Sequence, residues 1–180
     1  MKKLLLLLTA AALFAACKNE KKSDAAGVGE TPKEKTKVQL SMTPSYSGSF
    51  EMGNPAYAAM VVQGSWKDWQ DNTMDNMKSW VADTIVAYAA DNTIAKGLDT
   101  LQARWKRFRA DYTTVVDTID AVMPLYSTDK KENWVLVWAT EMNTNSRGVK
   151  DTVSVMETWR INKDGKADLV YQFDRHARKK

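Results

Sequence analysis

The sequence has one cysteine, Cys17, and one histidine, His176. A single cysteine excludes an intrachain disulfide, so the fold must stand on its apolar core alone. A single histidine excludes the multi-histidine sets of zinc sites, and no acidic cluster has the spacing of a calcium loop. G-x-S-x-G, the P-loop and the dinucleotide-binding glycine pattern are also absent, and we expect no metal and no cofactor. Charge of one sign is lacking too. The formal net charge is +4, but Lys2 and Lys3 belong to an N-terminal leader, and residues 18–38 hold six lysines against four acids. From Gln39 onward the chain is near neutral, which removes the electrostatic basis for binding nucleic acid. Two basic clusters, ARWKRFR (Ala103 to Arg109) and RHARKK (Arg175 to Lys180), read as the wet face of a helix and a solvated tail.

The apolar run Leu4 to Phe14 is too short to span a bilayer. Preceded by Lys2 and Lys3 and followed by Ala15-Ala16, it makes residues 1–16 an export signal. FAAC (Phe14 to Cys17) resembles the lipobox of bacterial lipoproteins, with Phe14 where Leu is more usual. That resemblance implies cleavage before Cys17, lipidation of Cys17 and, because Lys18 rather than Asp follows, the outer rather than the inner membrane of a Gram-negative cell. Ordinary cleavage nearby would instead leave Cys17 a free thiol. Residues 17–38 are charged and small, with almost nothing to bury, and read as a flexible tether carrying the lipidated cysteine. Residues 39–180, about 140 of them, are the usual size of one domain, and they hold all seven tryptophans.

What is present in that domain is an ordered change of period. Asn54-Pro55 marks a helix start, since Asn caps free amides and Pro at the first helical position loses no needed donor. Ala59, Val62, Trp66 and Trp69 then recur at three and four residues, giving a helix to about Gln70. Thr73 is expected to cap a second, short helix carrying Met77, Trp80 and Val81. TIVAYA (Thr84 to Ala89) is β-branched and aromatic, hence a strand; ADNT turns the chain. Gly97 opens a third helix with Leu98, Leu101, Trp105, Phe108 and Tyr112 on one stripe. Four period-two segments follow, Thr113 to Ser127, Asn133 to Met142, Asp151 to Ile161 and Ala167 to Asp174. The polar loops between them are hairpin connections, with Asp164-Gly165 the clearest because Gly accepts positive φ. Helices first and antiparallel strands after make an α+β plan.

This order, with NTMDNMKSWVADTIVAY, KGLDTLQARW and METWRINKDGKADLVYQFD, resembles the SnoaL-like and nuclear transport factor 2-like superfamily from about Asn54 to Asp174. The resemblance implies a cone, three helices packed on a strongly curved, mainly antiparallel sheet that encloses a pocket. It also implies places to look for chemistry. In the ketosteroid isomerases of this shape a carboxylate base follows the first strand, which falls here at Tyr88 or Ala89; neither can be that base, and Asp91 beyond them reads as part of a turn. Aligning RINKDGK puts Glu157 where those enzymes keep a buried carboxylic acid. Strand alternation puts Val155, Glu157, Trp159 and Ile161 on one face of that strand and, from the same alignment, Val170, Gln172 and Asp174 inside the cone. A carboxylate facing an apolar cavity has its pKa raised by desolvation. Glu157 at a sheet edge, paired with Arg160 or a lysine, is the other reading. Trp66, Tyr88, Trp105 and Trp159 are expected to line the pocket, together with Glu157, Val170, Gln172 and Asp174; the tryptophans serve equally as core.

Three functions follow from the resemblance. One, suited by an aromatic wall with few polar groups, is a membrane-anchored module that binds a small, largely apolar molecule or a partner protein without turnover. Another is an isomerase, dehydratase or cyclase using Glu157 and Asp174. The third is a partner domain in an envelope assembly. An outer row of Leu169, Tyr171 and Phe173 favours a homodimer through the sheet in each case.

Overall fold

A computed structural model describes residues 40–176. The leader, Cys17 and the tether lie outside the described residues, as do the last four positions. After a short strand β1 (Phe50–Met52), Asn54 caps helix α1 (Pro55–Val61). Its Oδ1 accepts the amide of Ala56 at 2.9 Å, with Pro55 in the first turn. The helix then widens. Val62–Lys67 winds as a π-helix before α2 (Asp68–Asp71) resumes the ordinary pitch. Read back from Trp66 and Trp69, an unbroken α-helix would bury Val62 and Ala59. The wide turn takes up one extra residue, so Val61 and Ala58 are buried instead and Ala59 is exposed. Gly64 sits inside that turn, directly against the ring of Trp80.

Thr73 does not act as a helix cap: its side chain makes no cap hydrogen bond, and its N–H donates back to the carbonyl of Asp68 at 2.8 Å. A 3₁₀ turn (Met74–Asn76) leads into α3 (Met77–Trp80), which buries Met77 and Trp80. Val81, expected on that helix, instead opens strand β2 (Val81–Tyr88). A short β3 (Ile94–Lys96), not foreseen from the sequence, pairs back onto β2. Gly97 at φ +87° then turns the chain into α4 (Leu98–Arg109). Tyr112, expected to continue the stripe of α4, begins β4 (Tyr112–Ser127) instead. β5 (Glu132–Asn145), β6 (Lys150–Ile161) and β7 (Ala167–His176) complete the chain.

The seven strands form one sheet in the order β1-β4-β5-β6-β7-β2-β3. Every pairing is antiparallel except β2 with β7, so the architecture is α+β with a mixed sheet. Period-two burial assigns its faces. Val135, Val137 and Ala139 of β5, with Val153, Val155, Trp159 and Ile161 of β6, join Val61, Met77, Ile85 and Leu101 in one buried cluster beneath the helices. Trp159 is wholly buried, edge-on to Trp80 at 5.3 Å and to Trp105 at 6.1 Å. The opposite face carries Leu169, Tyr171 and Phe173, the last two exposed. Tyr46 lies edge-on to Trp134 at 6.0 Å. Among the described residues no helix is long and apolar enough to cross a membrane.

Candidate functional site

Where helices and sheet diverge they leave a cavity of about 270 Å³. Its helical wall is aromatic: Trp66 from the π-helical turn, Trp69 from α2, and Leu101, Trp105 and Phe108 from α4. Spacings of four and three place the last three on one face of α4. Trp69 meets Trp105 edge-on at 6.2 Å. The sheet wall is mixed, with Val153, Val155 and Val170 among Glu141, Asn143, Glu157, Gln172 and Asp174. The expectation of few polar groups is thus corrected. Its reason is visible in the strands: past the buried valines, alternation brings polar side chains onto the same inner face as β5 and β7 run toward the cavity mouth.

Glu157 is the most buried of the polar residues in the wall, 3 % exposed. Its Oε2 accepts the Ser65 hydroxyl at 3.0 Å and the Trp159 indole N–H at 2.9 Å; its Oε1 accepts the Gln172 amide at 3.2 Å. Burial pushes its pKa to about 7, although these three hydrogen bonds favour the ionised form and pull the other way. The extra residue of the π turn is what lets both Ser65 and Trp66 face inward. The edge reading of Glu157 is excluded, for Arg160 belongs to the other face and pairs with Asp168 at 2.8 Å.

Glu141 stands above it and accepts the Trp69 indole N–H at 2.7 Å and the Asn143 amide at 2.9 Å. Asp117 of β4 is its cross-strand partner in register. Both oxygens of Asp117 are buried with no hydrogen-bond partner. Burial, then the negative charges of Glu141 and Glu157, push this carboxyl to about 7, against the pull of Arg109. Arg109 corrects the reading of ARWKRFR as a wet face. It is buried and donates to the carbonyls of Trp69, Gln70 and Tyr112 at 2.8, 3.0 and 3.0 Å, tying the end of α2 to the start of β4.

At the mouth, Arg104 binds both oxygens of Asp91 at 3.0 and 3.1 Å, and Asp91 also takes the Thr93 amide in the expected turn. His176 Nδ1 lies 2.9 Å from Asp151, and Nε2 lies 3.6 Å from Asp174. The histidine is exposed, as expected of the tail, yet it sits on β7 and reaches the cavity rim.

Of the eight residues expected to line the cavity, Trp66, Tyr88, Trp105, Glu157, Val170, Gln172 and Asp174 do so. Trp159 does not. It is fully buried behind the wall, and its contribution is the hydrogen bond to Glu157. The Tyr88 ring stacks on Tyr171 of the outer face, 4.9 Å apart and at 16°, so Tyr88 belongs to the rim rather than to the inner wall. Ser65, Trp69 and Glu141, which line the cavity, and Asp117, the cross-strand neighbour of Glu141, were not singled out from the sequence as site residues. Alternation along NWVLVWATEM and TTVVDTID carries the signal for Glu141 and Asp117; nothing in the sequence announces the π turn.

No protein-family model and no curated protein matches the sequence. Solved structures do match, at identities that speak for the fold. A Δ5-3-ketosteroid isomerase from Mycobacterium sp. superposes with TM-score 0.53 at 16 % identity, over 67 % of this chain and 98 % of its own. A Mycobacterium tuberculosis protein solved in complex with estradiol-17β-hemisuccinate gives 0.53 at 17 %, over 65 % and 92 %. An NTF2-like protein from Exiguobacterium gives 0.51 at 14 %, over 67 % and 96 %. The fold is the NTF2-like one that these structures share.

Proposed function

We propose that this cone-shaped domain binds one small, flat, largely apolar molecule in the cavity and holds it without turnover. The observation that carries this reading is the state of Glu157. Both its oxygens already accept hydrogen bonds from Ser65, Trp159 and Gln172, so the most buried polar group is tied into the wall rather than left free to shuttle a proton. Around it the edge-to-face tryptophans Trp69 and Trp105, with Trp66, offer broad apolar area, and the polar groups of the sheet wall orient the guest.

A second reading has its own support. A carboxyl with a pKa near 7 can remain protonated at neutral pH and stabilise an oxyanion, the role of such groups in isomerases. Asp174, lining the mouth, is then the candidate base of an isomerase, dehydratase or cyclase.

Native mass spectrometry of residues 39–180 after gentle purification distinguishes these. The binding reading expects one stoichiometric small molecule, recovered unchanged, and that compound names the class in which to test turnover with Glu157→Gln as control. Repeatedly ligand-free protein would sink it. The same spectra report the homodimer proposed through the outer row of Leu169, Tyr171 and Phe173 as a doubled mass.

The sequence supports an address as well: a lipid on Cys17 and residence in the bacterial cell envelope, more specifically the outer membrane. Labelling cells with an alkyne fatty acid is expected to tag the wild-type chain and not Cys17→Ser. Equal label on both would rule out that anchor.

A further inference from the structure

We propose that the molecule this cavity takes is an organic cation, a flat or aromatic amine whose positive group sits against Glu141 and Glu157 while its apolar body lies along Trp66, Trp69 and Trp105. The inference rests on the cavity being a binding site and adds the charge of the guest.

The wall has acids without counter-ions. Among the described residues, no lysine or arginine forms an ion pair with Glu141 or Glu157 of the wall, nor with Asp117, the cross-strand neighbour of Glu141 outside the lining. The two nearby guanidiniums are engaged elsewhere. Arg104 is held by Asp91 at the rim, and Arg109 spends its donors on three backbone carbonyls behind the wall. His176 stands at the mouth between Asp151 and Asp174. An entering anion would meet uncompensated carboxylates in a poorly solvated space, where like charges repel strongly. A neutral guest leaves that field unanswered. A cation answers it.

Among the described residues no group of three or more histidine, cysteine, aspartate or glutamate side chains could hold a metal ion. The opposite wall supplies what an organic cation uses, because indole faces attract ammonium groups and shield their alkyl or aryl part from water. Binding also has a proton signature. The raised carboxyls of Glu157 and Asp117, with Glu141 between them and Arg109 behind, lose protons when a cation arrives.

The test uses the full chain and three probes of one shape: 2-naphthylmethylamine, 2-naphthylmethanol and 2-naphthoic acid, titrated calorimetrically at pH 7 in two buffers of different ionisation enthalpy. The amine is expected to bind at least tenfold more tightly than the alcohol, the acid to bind weakest, and amine binding to release protons. Glu141→Gln is expected to shrink the amine-to-alcohol ratio severalfold; a ratio is insensitive to a modest general loss of folded protein. If amine and alcohol bind equally, or the acid binds best, the cation assignment falls while the binding reading stands. If none of the three binds, both fall. An amine preference that Glu141→Gln leaves intact would remove the charge from this wall and overturn the assignment.

Discussion

Replacing Gly64 with alanine is expected to destabilise the domain by about 3 kcal/mol, the upper end of ordinary overpacking, and to lower Tm by about 10 °C. A Cβ at position 64 would lie within 2.7 Å of three atoms of the Trp80 ring. In a flexible setting the ring would step aside. Here it cannot, for Trp80 is 5 % exposed and packs edge-on against Trp159, which is wholly buried and in turn meets Trp105. A shift therefore travels through Trp159 to the hydrogen bond it gives Glu157 and so to the floor of the cavity. The alternative is that the π turn straightens to make room. That would rotate Ser65 or Trp66 away from the interior and empty one side of the site. Either way ligand affinity should fall with stability. Thermal denaturation of Gly64→Ala within 2 °C of wild type would mean that the close approach of this helix to Trp80 is wrong.

The second large effect is a stability that falls as pH rises. Glu157 has its carboxyl raised from the usual carboxylate range to about 7. Between about pH 4.5 and 7 the folded protein holds a proton that the unfolded chain has released, so in this window unfolding becomes easier with each step up in pH. Above it the ionised, buried Glu157 costs the native state on the order of 3 kcal/mol. Asp117 acts in the same direction, its carboxyl being raised to about 7 by burial and by Glu141 and Glu157. Acids of the opposite kind, Asp71 held down by Lys67, Asp91 by Thr93, and Asp129 by Ser47 and Ser127, lose their contribution only at more acidic pH. Tm is thus expected to decline between pH 5 and pH 8. Glu157→Gln should flatten part of that decline and leave the part due to Asp117; its one amide oxygen can keep the Ser65 and Trp159 donors but not the Gln172 donor as well, so the variant starts from a lower Tm. A Tm that holds level or climbs from pH 5 to pH 8 would show that Glu157 and Asp117 are not the uncompensated acids the geometry makes them. A bound cation should abolish the decline as well, which links this measurement to the nature of the guest.

Much of this protein was determined by sequence alone where local chemistry is strong. Asn54-Pro55 can only start a helix, and it does. The change from helical to alternating period after α4 locates four long strands, and Gly97, Asp164 and Gly165 locate turns. The same alternation brings Glu157, Val170, Gln172 and Asp174 to one face without any knowledge of what lies opposite. Tertiary structure decided the rest, because the deciding contacts join residues far apart in the chain. The π turn exists where Gly64 meets Trp80, and it moved the buried face of the first helix from Ala59 and Val62 to Ala58 and Val61. Three-residue strands such as β1 and β3 have too few positions to show a period and form only because a longer partner offers its edge. Trp159 and Trp66 look alike in sequence, and packing made one core and the other cavity wall. Arg109 sits in a run of basic residues and reads as solvated until three carbonyls from α2 and β4 are brought around it. Whether Glu141 and Asp117 have counter-ions is likewise a property of the assembled sheet and helices, since charge compensation depends on distance in space and the sequence orders residues only along the chain.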